Sequence, residues 1–302
     1  MDRPSITVII LTYNEQVHLQ RCIDSVKNIC QDIVVVDSFS TDNTKQIALN
    51  NEVGFFQNTW INHAVQFNWA LANIPIKTDW VLRLDADEYI TESLKQEILD
   101  KLPDIQPPIN GIVLPLQRIF LGRHIKKGNG VIKLLRLFRY GFAQSEVRWM
   151  DEHIQLSEGE TVDFSGAFAD DNLNNLSWWT QKHIGYALKE AVTLLDLELN
   201  LFPQANKKGS LSTQASQKRK LKEKYASKPL FIRAFLYFIY RYIFRLGFLE
   251  GKEGFLWHFL QGWWYRTLVD AKIYEIKKAC GSDVVKIKKH LQEHYNLTLP
   301  NQ

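Results

Sequence analysis

The sequence predicts an α/β fold, a mostly parallel sheet flanked by helices, and three segments carry that prediction. Ile6-Thr7-Val8-Ile9-Ile10-Leu11 is a run of β-branched and aliphatic residues that stops at Thr12-Tyr13-Asn14-Glu15. Such runs read as strands buried on both faces. Asp32-Ile33-Val34-Val35-Val36 repeats the pattern and stops at Asp37-Ser38-Phe39-Ser40-Thr41-Asp42-Asn43-Thr44. Lys45-Gln46-Ile47-Ala48-Leu49 follows as a helix, with Asp42 or Thr41 placed to cap it. Trp80-Val81-Leu82-Arg83-Leu84 is the third run and stops at Asp85-Ala86-Asp87-Glu88. Strands separated by helical stretches form βαβ units. Open α/β sheets bind ligands beyond the carboxyl ends of their strands, so all three polar loops are expected on one edge.

The third loop is chemically the most specific. Alternate residues of a strand share a face, so Asp85 and Asp87 can approach one point. Carboxylates placed together repel unless a cation offsets them. Mg²⁺ and Mn²⁺ prefer oxygen ligands, commonly one or two carboxylates plus phosphate oxygens. Asp85 and Asp87 are thus expected to hold a divalent metal against a diphosphate.

In order and spacing, Thr12–Glu15, Asp37–Thr44 and Asp85–Glu88 resemble the successive motifs of family 2 glycosyltransferases of GT-A fold. The resemblance covers roughly residues 5 to 155, with a looser likeness beyond. It is nearest to bacterial enzymes building lipopolysaccharide core, capsule or exopolysaccharide. It implies an inverting, metal-dependent transfer from a nucleotide-sugar donor, UDP-linked, to a glycolipid or oligosaccharide acceptor. The donor side is expected to use Thr12, Tyr13, Asn14, Glu15, Asp37, Asn68 and Asp85, and the metal Asp85 and Asp87, as Mg or Mn. Asp37 suits a hydrogen bond from uracil or ribose, and Tyr13 suits packing on the base. Asn68 lies on a helix leading to the third strand, reaching the diphosphate or simply lying on the helix surface.

The acceptor half is expected after residue 100. Inverting transfer needs a base for the acceptor hydroxyl. Val147-Arg148-Trp149-Met150-Asp151-Glu152-His153 brings two acids behind apolar flanks, and in the resembled family an acidic pair here supplies the base. Either Asp151 or Glu152 fills that role. Gln144 stands four residues before Arg148-Trp149 and ahead of the acids, unlike the motif of processive relatives. Single-sugar addition is therefore expected. Arg118, Arg123, Lys133, Arg136 and Arg148 form a basic set suited to a phosphate-bearing acceptor.

At 302 residues the chain has room for one large domain and an appendage. Residues 1–205 are expected to form the catalytic domain, with its donor half in 1–100 and acceptor half in 101–205. Residues 206–228 form a basic flexible segment and 229–302 a helical region. Met1-Asp2-Arg3-Pro4 leads straight into a strand, so no secretory signal peptide is expected. Cys22, Cys30 and Cys280 show no metal spacing and read as reduced thiols. Net charge is +4, concentrated between Lys207 and Arg233, where Glu223 is the one acid. The stretch Pro229–Leu249 is long and apolar but holds Arg233, Arg241 and Arg245, too costly for a bilayer interior. The arginines share one arc of an amphipathic helix. That helix either packs on the domain or lies in a membrane surface. With the basic run and Gly262-Trp263-Trp264-Tyr265-Arg266, it makes residues 207–249 a peripheral membrane contact, at the cytoplasmic face of the inner membrane.

Rival readings are a nucleotidyltransferase acting on sugar phosphates and a non-catalytic glycan- or lipid-binding relative. The first usually carries a Gly-rich basic loop after strand one, absent from Thr12–Glu15, and the second would have lost the acids, which are present. A dinucleotide-binding dehydrogenase lacks its G-x-G-x-x-G. Nucleic-acid binding is not expected, since the basic run carries no array of stacking aromatics.

Overall fold

The computed structural model describes residues 3–146, 152–202, 221 and 224–295. These divide into two compact units. One holds residues up to Lys126 with Gly130–Asn174, and the other Lys127–Asn129 with the chain from Asn175 onward.

In the first unit the expected strands form: β1 (Ile6–Thr12), β2 (Asp32–Asp37), β3 (Gly54–Gln57) and β4 (Trp80–Asp85). They are joined by α1 (Leu19–Val26), α2 (Thr44–Asn50) and α3 (His63–Asn73). The order β3-β2-β1-β4 is parallel throughout. Every residue of β1 is buried, which explains its unbroken apolar run. The cap position of α2 falls to Asn43, without a side-chain bond, rather than to Asp42 or Thr41; Asp42 Oδ1, one residue earlier, accepts from the Thr44 backbone N–H at 2.9 Å.

Beyond β4 the sheet becomes mixed. β8 (Ile132–Arg139) runs antiparallel to β4 and to β6 (Ile109–Phe120), and β12 (Phe168–Asp171) runs parallel to β6. Two reversals restore the original direction. The carboxyl end of β12 therefore lies on the same sheet edge as those of β1, β2 and β4. β5 (Glu88–Ile90) closes the order, antiparallel to β12, while β7 (Arg123–His124) and β11 (Glu160–Asp163) pair with β6. α4 (Glu92–Lys101) packs tightly here: a Cβ at Gly166 would come within 2.5 Å of the Leu94 Cα. Two apolar clusters cover the sheet, one around Ile10, Leu82 and Phe168, the other around Ile9, Phe67 and Phe138.

The second unit is helical. α5 (Leu176–Leu199), α8 (Tyr265–Cys280) and α9 (Val284–Tyr295) share a core of Leu195, Val269, Ile273 and Leu291. Before α8 come α6 (Ile232–Ile239), a π-helical turn at Tyr240–Phe244, a 3₁₀ turn at Gly247–Glu250, α7 (Gly251–Trp257) and a second π-helical turn at His258–Trp264. Among the described residues no helix is long and apolar enough to cross a membrane.

Candidate active site

The parallel register brings the expected loops together. Thr12 pairs with Asp37 and Leu11 with Asp85, so the ends of β2, β1 and β4 stand side by side. Neighbouring strands are about 4.8 Å apart, which spreads Asp37 and Asp85 over about 10 Å.

The first two loops are laced to each other. Thr12 Oγ1 donates to Asp37 Oδ1 at 3.0 Å, and Gln57 Nε2 and the Ser40 N–H donate to Asp37 Oδ2 at 3.0 and 2.9 Å. The Ser40 hydroxyl also donates to Oδ1. Four donors occupy a carboxylate with about four acceptor positions, and Asp37 is fully buried. The direct hydrogen bond to a nucleotide expected of Asp37 thus finds its oxygens already engaged; Asp37 holds the loops in shape. The Asn14 N–H donates to Ser40 Oγ at 2.8 Å, and Asn14 Oδ1 accepts from the Thr41 N–H at 2.8 Å. Asn14 and Phe39 adopt φ of 56° and 60°, unusual for side-chain-bearing residues and typical of functional loops. Tyr13 and Phe39 stand out from this frame, 59% and 54% exposed, as two open aromatic faces.

Glu15 is aimed by His18. The Leu173 backbone N–H can only donate, and it donates to His18 Nε2 at 2.9 Å. The ring proton therefore sits on Nδ1, which donates to Glu15 Oε2 at 2.6 Å. A fully buried histidine thus ties the first loop to the residues after β12.

The third loop is a cluster of acids threaded by arginines. Arg136 Nη2 lies 2.6 Å from Glu88 Oε1 and 3.7 Å from Asp85 Oδ2. Arg83 Nη2 lies 3.4 Å from Asp85 Oδ1. The Asp85 N–H donates to Glu88 Oε2 at 2.9 Å, closing the turn. Burial works against an ionised Asp85, but Arg83 and Arg136 outweigh it and hold its carboxyl far below the usual range. Glu88 goes the other way: burial, with Asp85 and Asp170 nearby, pushes it above the ordinary carboxylate range despite Arg136. Asn172 Nδ2 donates to Asp87 Oδ2 at 2.9 Å. Arg21 Nη1 meets Asp171 Oδ2 at 2.6 Å, and Arg118 pairs with Asp170.

Asp85 and Asp87 are only half-buried, and among the described residues the Asp87 carboxylate accepts a hydrogen bond on one of its two oxygens, Oδ2. This donor set, all oxygen, fits a hard divalent ion. Among the described residues no group of three or more His, Cys, Asp or Glu is arranged to hold a metal by itself. The fit is to an ion that completes its shell with phosphate and water.

Several residues stand elsewhere than the sequence suggests. Asn68 does not face the diphosphate edge with a free amide. Its Nδ2 donates to Ser145 O and its Oδ1 accepts from the Ser145 N–H, both at 2.8 Å. It thereby pins β9 (Ala143–Ser145), whose partner is β10 (Ile154–Leu156). The Glu146 N–H donates to His153 O at 2.9 Å, closing the base of the loop that carries the acids. Glu152 is half-buried there; Asp151 and Arg148 lie outside the described residues. Arg136, expected on an acceptor surface, is buried and spent on Glu88 and Asp85. Arg118 and Lys133 are paired with Asp170 and Asp163, and Arg123 is exposed. Sequence reasoning missed His18, Arg21, Arg83 and Asp170-Asp171-Asn172. The last carried the same signal as the other loops, apolar residues ending in carboxylates.

Residues 7–129 match the family described as Glycosyl transferase family 2. This segment resembles that family. An uncharacterized glycosyltransferase of Rickettsia bellii is 39% identical over 93 residues, 31% of either chain. The lipopolysaccharide core biosynthesis glycosyltransferase LpsC of Rhizobium meliloti is 31% identical over 102 residues, 32% of this chain and 36% of that one. The chain thus spans about a third of the length of these relatives. Among solved structures, S. aureus TarS 1-349 in complex with UDP-GlcNAc aligns at 15% identity over 91% of both chains, with a TM-score of 0.40.

Proposed function

We propose that the protein is an inverting glycosyltransferase. It moves one sugar from a nucleotide-sugar donor, UDP-linked, to a hydroxyl of a glycolipid or oligosaccharide in bacterial lipopolysaccharide or surface-polysaccharide synthesis. The observation that carries this reading is the gathering of Thr12–Glu15, Asp37–Thr44 and Asp85–Glu88 on one sheet edge within a segment that resembles family 2.

Tyr13 offers its exposed ring to the nucleotide base. Asp37, with its four donors, keeps the backbone of the first two loops in place for ribose and phosphate. Asp85 and Asp87 hold Mg²⁺ or Mn²⁺. When bound, the ion neutralises charge on the departing diphosphate. Arg83 and Arg136 keep Asp85 ionised and so ready to serve as a ligand. Asp151 or Glu152 takes the proton of the acceptor hydroxyl. That oxygen attacks the anomeric carbon from the face opposite the diphosphate, whose bond to the sugar breaks as the new bond forms. Arg123, exposed, faces the acceptor.

A panel of nucleotide sugars incubated with Mn²⁺, read as released nucleoside diphosphate, tests the reading. Turnover of one donor, enhanced by a glycolipid acceptor, is expected. Turnover of none, or release of pyrophosphate from a nucleoside triphosphate and a sugar phosphate, contradicts it.

A further inference from the structure

The segment around α6 is built inside out. From sequence, its arginines belong on the wet side of an amphipathic helix. In the structure Arg233 and Arg241 are inside, 5% and 3% exposed. Arg233 lies against Asp270, Nε donating to Oδ1 at 2.9 Å, while Nη1 donates to Ala226 O at 2.8 Å. The Phe231 N–H donates to the other Asp270 oxygen at 2.7 Å. Arg241 stacks over Tyr237 at 5.3 Å.

What faces outward is apolar. Ile232, Phe235 and Leu236 follow the i, i+3, i+4 spacing of one helix face, and all are exposed. Tyr240, Ile243 and Phe244 extend it, Phe244 to 73% exposure. Leu246, Phe248 and Leu249 carry it through the next turn. A run of this length is unlike the scattered apolar residues of an ordinary surface and marks an interaction site.

Charge decides the occupant. Between residues 224 and 255 the exposed ionic side chains are Lys224, Lys228, Arg245 and Lys252, all positive. The two acids of that span are withdrawn: Glu250 is buried and accepts from the Lys127 N–H at 2.6 Å, and Glu253 is half-buried. A second copy would set like charges against like. An anionic bilayer surface offers both halves of the match, acyl chains for the apolar face and headgroups for its cationic border. Trp263, 5.3 Å from Phe235, adds the kind of side chain enriched at membrane interfaces.

We propose that the outward face of residues 231–255 docks the protein onto an anionic lipid surface, lying in it without crossing. This is independent of the sugar-transfer reading, since no residue of the strand-end edge takes part.

The test is co-sedimentation of the full chain with phosphatidylcholine vesicles, with and without phosphatidylglycerol. Binding to the anionic vesicles is expected, partly released by salt. Arg245→Gln with Lys252→Gln should weaken it about 25-fold at low salt, taking about fivefold per charge. Leu236→Ser with Phe244→Ser should weaken it at least about tenfold, whatever the salt. These side chains are exposed, so unchanged melting curves are expected to accompany the losses. No binding to either vesicle, or binding that neither pair of substitutions alters, overturns the proposal. So does a dimer in sedimentation equilibrium that the Leu236→Ser, Phe244→Ser variant dissolves while vesicle binding is absent.

Discussion

The strand-end edge and the α6 segment both bury arginines, for opposite ends. At the edge, Arg83 and Arg136 flank Asp85, which remains half-open to solvent, so charge is gathered where a ligand can reach it. In α6, Arg233 is closed against the fully buried Asp270, and the surface is left to hydrocarbon. One region concentrates charge for chemistry; the other withdraws it to make an apolar exterior. A buried ion pair rarely adds net stability over an apolar replacement, so each pair points to a specific arrangement being kept.

The comparison can be broken at either end, and the largest effect belongs to the edge. Asp87→Asn should lower turnover about 10³-fold or more, because the ion's charge stabilisation is lost, with the melting curve unchanged. Wild-type activity and wild-type Mn²⁺ dependence in this variant would remove Asp87 from the metal site. Next come Glu152→Gln and Asp151→Asn. One of them should cut transfer about 10²-fold or more while leaving UDP affinity near normal, since a base acts on the acceptor. Full activity in both would remove this loop from catalysis.

The arginines sharpen the contrast. Breaking one side of a buried pair costs about 3–5 kcal/mol. Arg233→Met should approach that figure in urea unfolding, because Asp270 has no route to solvent. Arg136→Met should cost less, because Glu88 already resists ionisation and can take up a proton. Equal losses in both would mean the two sites differ less than their surroundings indicate.

The smallest effect concerns Glu97. Burial opposes its ionisation, but bonds from Lys101 and from the Gly166 and Ser165 N–H groups win and hold it below the usual range. A depressed folded-state pKa contributes stability above the unfolded value of about 4.3, and that contribution is lost as pH falls through the folded value. Glu97→Gln should therefore destabilise at pH 7 by about 1–2 kcal/mol and by less at pH 3, read from melting curves at both.

The sequence made β1, β2, β4 and their loops legible because burial on both faces forces unbroken apolar runs whose ends are sharp. β12 escaped notice: it is four residues long, and its direction depends on two reversals through β8 and β6. The His18 bridge joins residues 155 apart and has no local pattern. Arg136 sits in a basic cluster whose members look alike until the fold buries one of them. Helical periodicity placed Arg233, Arg241 and Arg245 on one arc, yet the helix gives way to a π-helical turn at Tyr240–Phe244, so Arg233 and Arg241 face inward while Arg245 stays exposed. Asp270, which draws Arg233 in, lies 37 residues away.

On the proposed function, the strand-end edge binds a nucleoside diphosphate through Asp85 and Asp87 with a divalent ion. Calorimetric titration of UDP into wild type and Asp87→Asn, each with Mn²⁺ and with EDTA, tests it most directly. Wild type should bind UDP far more tightly with Mn²⁺, and the variant should lose that difference. Equal, metal-independent binding in both proteins would contradict the account.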